Sequence, residues 1–159
     1  MYNVKEKGNW GVVMLKQEIF IEKPITDVWE FIVAEYAKSF KCSPSQLKDK
    51  EIETTVQSFG NKNVKIVQSV QKLEEFKLIE VLSENSRDLV TTGYALIEDP
   101  DGTFLTTYES GKGKSSVFRT WNYKLFALPI LRNSSHKRMR QRLETIKGLL
   151  EGTLDLEEE

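Results

Sequence analysis

The spacing of apolar residues changes period three times along the chain. From Val12 to Glu22 it alternates, placing Val13, Leu15, Ile19 and Ile21 on one side of a strand that Lys23-Pro24 closes. Proline is tolerated in the first turn of a helix, and Thr26 and Asp27 add capping chemistry and negative charge there. Val28, Phe31, Ile32 and Tyr36 then make the stripe of a helix ending near Lys38. Ser43-Pro44-Ser45 opens a second helical piece, but Ser43–Leu47 leaves room for only a turn or two. From Lys50 the period is two. Ile52/Thr54/Val56, Val64/Ile66/Val70, Lys77–Leu82, Leu89–Ile97 and Thr103–Glu109 read as strands. Gly60-Asn61-Lys62-Asn63 and Asp99-Pro100-Asp101-Gly102 read as turns, and Gly111-Lys112-Gly113 as a flexible break.

The period lengthens again at the end. Ser115–Leu128 is a short aromatic segment, and after Pro129 comes a long run with apolar residues at Leu131, Met139, Leu143, Ile146 and Leu150. The last four lie on one face of a helix. Such a stripe needs a large apolar surface to rest on, and the strands supply it. Strands grouped in sequence with separate helices predict an α+β fold with a mostly antiparallel sheet. The expected organisation is one domain over 1–159, with its core at about 12–150 and a frayed tail from 152.

Charge sharpens this picture. The net charge is −1, yet Ser110–Arg142 holds nine basic residues and no acid, leaving 14 basic against 24 acidic residues elsewhere, a formal −10. The acidic remainder would repel phosphate and argues against nucleic acid as a partner. Cys42 is the only cysteine, so no internal disulfide can form. With a polar Met1–Trp10 in place of a signal sequence, the expected compartment is the cytoplasm.

Two stretches resemble a known superfamily. Ile19-Phe-Ile-Glu-Lys-Pro24 followed by Ile25-Thr-Asp-Val-Trp-Glu-Phe-Ile32 is similar to the opening of START-like, or SRPBCC, helix-grip proteins. Tyr94-Ala-Leu-Ile-Glu98 with Gly102-Thr103 resembles their late hairpin. The long last helix agrees, so the resemblance covers about Val12 to Leu150. The aromatic segment before a basic helix is similar to a subgroup of domains of unknown function from Gram-positive bacteria. The resemblance implies a curved sheet of six to seven strands wrapped on the C-terminal helix, with a cavity between them. The superfamily includes lipid and hormone carriers, polyketide cyclases and chaperone activators, so it fixes no reaction. Six strands are counted here, and the second helix is very short.

No catalytic motif is visible. His136, the only histidine, sits in the polar stretch Ser134-Ser135-His136-Lys137 and reads as a solvated side chain. One histidine and one cysteine cannot build the usual nitrogen and sulfur metal sets, and no phosphate loop or cofactor motif is present. Alternation puts Thr92, Tyr94 and Leu96 on one face of their strand, opposite Gly93 and Ala95. The resemblance turns Thr92, Tyr94, Leu96, Leu105 and Thr107 inward, where small and hydroxylated residues leave space and polar handles. Trp121 and Leu125 from the aromatic segment and Met139 from the last helix complete the candidate ligand-binding set. Cross-strand threonines in a filled core would produce the same pattern. Arg132, Lys137, Arg138, Arg140 and Arg142 form a second set, suited to an anionic partner or simply to a solvated face.

The expected function is binding of a small, largely apolar, lipid-like molecule, in one form carrying an anionic group. The alternatives are a cyclase-like enzyme using the same pocket and a hydroxyl acid/base, or an interaction module that sets the basic helix on an acidic partner or membrane surface.

Overall fold

A computed structural model describes residues 13–57, 63–85, 88–113 and 129–154. The elements run β1 (Val13–Ile21), α1 (Ile25–Ser39), a single 3-10 turn (Pro44–Gln46), β2 (Glu51–Gln57), β3 (Asn63–Glu74), β4 (Leu78–Glu84), β5 (Asp88–Asp99), β6 (Gly102–Gly113) and α2 (Pro129–Glu151). The six strands form one antiparallel sheet in the order β1-β6-β5-β4-β3-β2. Both helices lie on one face of it, which is the helix-grip arrangement. The turn at 60–62 and the aromatic segment 115–128 lie outside the described residues.

Register explains the two faces. Gln17, Thr107, Tyr94 and Ile79 are successive cross-strand neighbours on β1, β6, β5 and β4, and they face the helices. Ile19, Leu105 and Leu96 form the next row, all buried. Val70 and Leu73 also both face inward, although they are three residues apart. The register shifts between Val70 and Lys72, and this bulge restores the inward phase that alternation alone would lose. Two apolar clusters result. One joins Ile19, Ile21, Val28, Ile32, Ile79, Leu96, Leu105, Leu143 and Ile146. The other packs Ala37, Phe40 and Leu47 on Val70 and Val81.

The predicted break at Gly111-Lys112-Gly113 is corrected. β6 continues to Gly113, and Gly111 is buried, paired with Val13 on β1 and Val90 on β5. Two glycines and a lysine give no apolar alternation, but hydrogen bonding to strands on both sides needs only their backbone. At the other end of β6, Asp99 accepts from the Asp101 N–H at 2.9 Å and tightens the predicted hairpin. On the outer face the Tyr108 ring lies over Gly93, where an added Cβ would sit 2.5 Å from the ring. The Tyr108 hydroxyl donates to Glu80 Oε2 at 2.6 Å, and burial and this acceptor push the phenol's pKa up.

The buried stripe of α2 is the predicted one: Met139, Leu143 and Ile146 are buried and Leu150 is partly so. A second line of side chains ties this helix to the free edge of β1. Arg140 donates to the Glu18 carbonyl at 2.9 Å, and Lys147 to the Phe20 carbonyl at 2.7 Å. Glu151 accepts from the Glu22 N–H at 2.8 Å and from Lys147 at 2.8 Å. An edge strand exposes unpaired backbone groups at alternate residues, and these three side chains cover three of them in a row. The Lys147 ammonium and the Glu22 N–H together hold the Glu151 carboxyl below its ordinary pKa.

Two outcomes are expected. Leu143→Ala, at a fully buried position, should cost about 3 kcal/mol in urea unfolding. A depressed carboxyl adds stability that is present above the unfolded value of 4.5 and is lost as pH falls through its folded value. The stability gap between wild type and Glu151→Gln should therefore be largest near neutrality and shrink steadily on acidification below about pH 4.

Candidate functional site

A cavity of about 600 Å³ lies between the two helices and the middle of the sheet. Its floor is β5 and β6, with Thr92, Tyr94 and Thr107, joined by Gln68 of β3. α1 supplies one wall through Phe31, Ile32, Glu35, Tyr36 and Ser39, which recur on one helical face. α2 supplies the other through Arg142, Thr145, Ile146 and Leu149, a stripe displaced about one residue from the buried one. Because α2 is drawn onto the edge of β1, its apolar stripe covers that side and leaves the floor beneath α1 and α2 unfilled.

The wall is graded in polarity. Ile32, Tyr94, Thr107 and Ile146 are buried, whereas Glu35, Ser39, Arg142 and Thr145 are exposed. The mouth therefore opens between α1 and α2, and the interior lies toward the sheet. Inside, Tyr36 and Tyr94 meet edge to face, with centroids 6.0 Å apart and planes at 75°. The Thr107 hydroxyl donates to the Gly93 carbonyl at 3.2 Å, and Gln68 donates to Ser83 at 3.0 Å. Burial pushes the Tyr36 phenol well above its ordinary pKa, and Tyr94 adds to this; the Arg142 charge and the Thr92 hydroxyl pull the other way. The net effect keeps Tyr36 protonated, so it serves as a neutral hydrogen-bond donor.

The sequence-predicted residues fall into three groups. Thr92, Tyr94 and Thr107 line the cavity. Leu96, Leu105 and Met139 are buried among core side chains and do not line it. Trp121 and Leu125 lie outside the described residues, as does the Arg132 side chain. Of the basic set, Arg142 lines the cavity and Lys137 is an exposed residue away from it. Arg138 is exposed and Arg140 is held by Glu18 and by Glu144 at 3.2 Å. The α1 wall was not anticipated as a site. Its one signal was a tyrosine hydroxyl ending an apolar stripe between Glu35 and Ser39.

His136 is also corrected. It is half-buried, with its Nδ1 2.7 Å from the Gln17 amide nitrogen of β1. Gln17 stands at an inward position of the strand, a fact set by register and invisible in the polar run around His136. Among the described residues no group of three His, Cys, Asp or Glu side chains could hold a metal ion. No helix among them is long and apolar enough to cross a membrane.

No protein-family model matches the chain, and no curated protein matches it. Solved structures do. A START superfamily protein from Mycobacterium smegmatis is 12% identical with a TM-score of 0.56, covering 89% of this chain and 99% of its own. A Thermus thermophilus protein is 13% identical with a TM-score of 0.54, over 90% and 100%. The Zhui aromatase/cyclase from Streptomyces sp. R1128 is 12% identical with a TM-score of 0.52, over 88% and 94%. The fold is thus the START-like helix-grip fold, found around very different sequences.

The protonated state of Tyr36 can be checked directly. Tyrosinate absorbance gained up to about pH 11 should be the same in wild type and Tyr36→Phe, because an ordinary phenol titrates near 10 and this one titrates later.

Proposed function

We propose that the protein binds a small, largely apolar molecule in the cavity between the sheet, α1 and α2. The observation that carries this reading is the space that the described residues leave unfilled. About 600 Å³ falls within the range of ligand sites and far exceeds the packing defects of a filled core. Its lining is mixed: Phe31, Ile32, Tyr94, Ile146 and Leu149 supply apolar surface, and hydroxyls, an amide and two charged side chains supply the groups that fix orientation. The fold is shared with a START superfamily protein and with an aromatase/cyclase, which supports a ligand cavity without naming the ligand.

Binding is favoured over turnover by the character of the hydroxyls. A tyrosine acting as a base needs a lowered pKa, and burial moves Tyr36 the other way. Glu35, the one carboxylate of the lining among the described residues, is engaged by Lys38 at 3.1 Å.

The test uses the uncharged fluorophore N-phenylnaphthylamine and two substitutions. Thr107 is buried and faces the cavity, while Ala95 points to the opposite face of the sheet. Thr107→Trp should weaken probe binding by at least about tenfold with about 1–2 kcal/mol of destabilisation, since the indole has space to enter. Ala95→Trp should leave binding intact. Equal binding by all three proteins would place the probe elsewhere and refute the cavity as the site.

A further inference from the structure

Among the described residues Arg142 is the only basic side chain in the cavity lining, and it stands at the mouth. Three other cations of α2 are placed differently. Arg140 is held by the Glu18 carbonyl and Glu144, Lys147 by the Phe20 carbonyl and Glu151, and Lys137 does not reach the lining. Among the described residues Arg142 has no ion-pair partner. Its charge is nonetheless felt inside, because it acts on the Tyr36 phenol.

We propose that the cavity selects apolar molecules bearing one anionic group, bound with the charged head at the mouth against Arg142 and the apolar body toward the sheet. This deepens the binding reading above and rests on it. A guanidinium presents paired donors that match the two oxygens of a carboxylate or two of the three of a sulfonate. Tyr36, kept protonated, and Thr92, which share a hydrogen bond, together leave one neutral hydroxyl donor beside it. Glu35, across the mouth, would repel an anion, but Lys38 lies 3.1 Å from its carboxylate and offsets its charge. Orientation follows from desolvation. A charge carried to the buried end, among Ile32, Tyr94 and Ile146, would leave water with no countercharge to replace it. At the mouth it keeps solvent on one side and Arg142 on the other. A single cation balances a single negative charge, so a monoanion fits better than a dianion.

A matched pair of fluorophores tests this. Anilinonaphthalene sulfonate and N-phenylnaphthylamine share one ring system and differ by the sulfonate. The wild type should prefer the sulfonate by roughly tenfold, the usual scale for one hydrogen-bonded charge pair. Arg142→Gln should bring the affinity ratio close to one, and Arg142→Lys, which keeps the charge but not the paired donors, should keep only part of the preference. Lys137→Gln, which removes a cation of the same helix away from the lining, should keep the wild-type ratio. Thr107→Trp should weaken both probes together, which locates them in the cavity. A ratio that survives Arg142→Gln, or that falls equally in Lys137→Gln, would overturn the head-out assignment. So would a wild type that binds the uncharged probe as tightly as the sulfonate. If neither probe binds the wild type, the cavity reading fails, and this inference with it.

Discussion

The position of α2 on the edge of β1 governs the rest of the structure. Three side chains spaced along one helix face meet the Glu18 and Phe20 carbonyls and the Glu22 N–H, groups that an edge strand otherwise leaves to water. A helix held by apolar contacts alone could slide to the centre of the sheet, where more apolar surface would be covered. Directional bonds to fixed backbone atoms oppose that slide. Leu143 and Ile146 of the buried stripe then join Ile19 and Leu105 in one apolar cluster. α1, anchored by Val28, Trp29 and Ile32 at one end and by Ala37 and Phe40 at the other, cannot close the gap. The cavity is what lies between two helices that are each pinned elsewhere.

The same geometry sorts the residues around the space. Side chains turned toward the sheet are apolar or hydroxylated, and their polar atoms bond to nearby backbone or side chains, as Thr107 does to Gly93. Those at the helix surfaces are charged. A ligand therefore meets a gradient from Arg142, Glu35 and Thr145 at the mouth to Ile32, Tyr94 and Ile146 within. Such a gradient favours an amphiphile over a uniformly apolar molecule. The outer face of the sheet carries a separate apolar group: Phe20 and Phe104 with centroids 5.0 Å apart, and beside them Ile97, 62% exposed. None of these three side chains lines the cavity.

Much of this was legible in the sequence where periodicity carried the signal. The α2 and α1 stripes follow from spacing alone, because burial on one side imposes that spacing, whereas for β5 and β6 spacing told only which residues share a face and the family resemblance told which face turns inward. The strand order and the pairing of β1 with β6 were not readable, since they join residues nearly a hundred positions apart. Gly111 looked like a break because a strand held by neighbours on both sides needs no apolar side chains of its own. His136 looked solvated because its partner, Gln17, comes from the far end of the chain. The basic run looked uniform, yet Arg140 covers a strand edge and Arg142 faces a cavity. Two positions along a helix turn the side chain by more than half a circle, and only the sheet's location decides what each one meets. The bulge beyond Val70 shifted phase within β3, which alternation cannot anticipate.

The central claim is that the space between α1, α2 and the sheet is a ligand site and not an unfilled accident of packing. The most direct test is a crystal structure of the protein grown with N-phenylnaphthylamine. The account predicts density for the probe enclosed by Phe31, Tyr36, Tyr94 and Ile146, with the described backbone little changed. Density found only on the outer face against Phe20, Phe104 and Ile97, or side chains rotated inward so that no space is left, would contradict it.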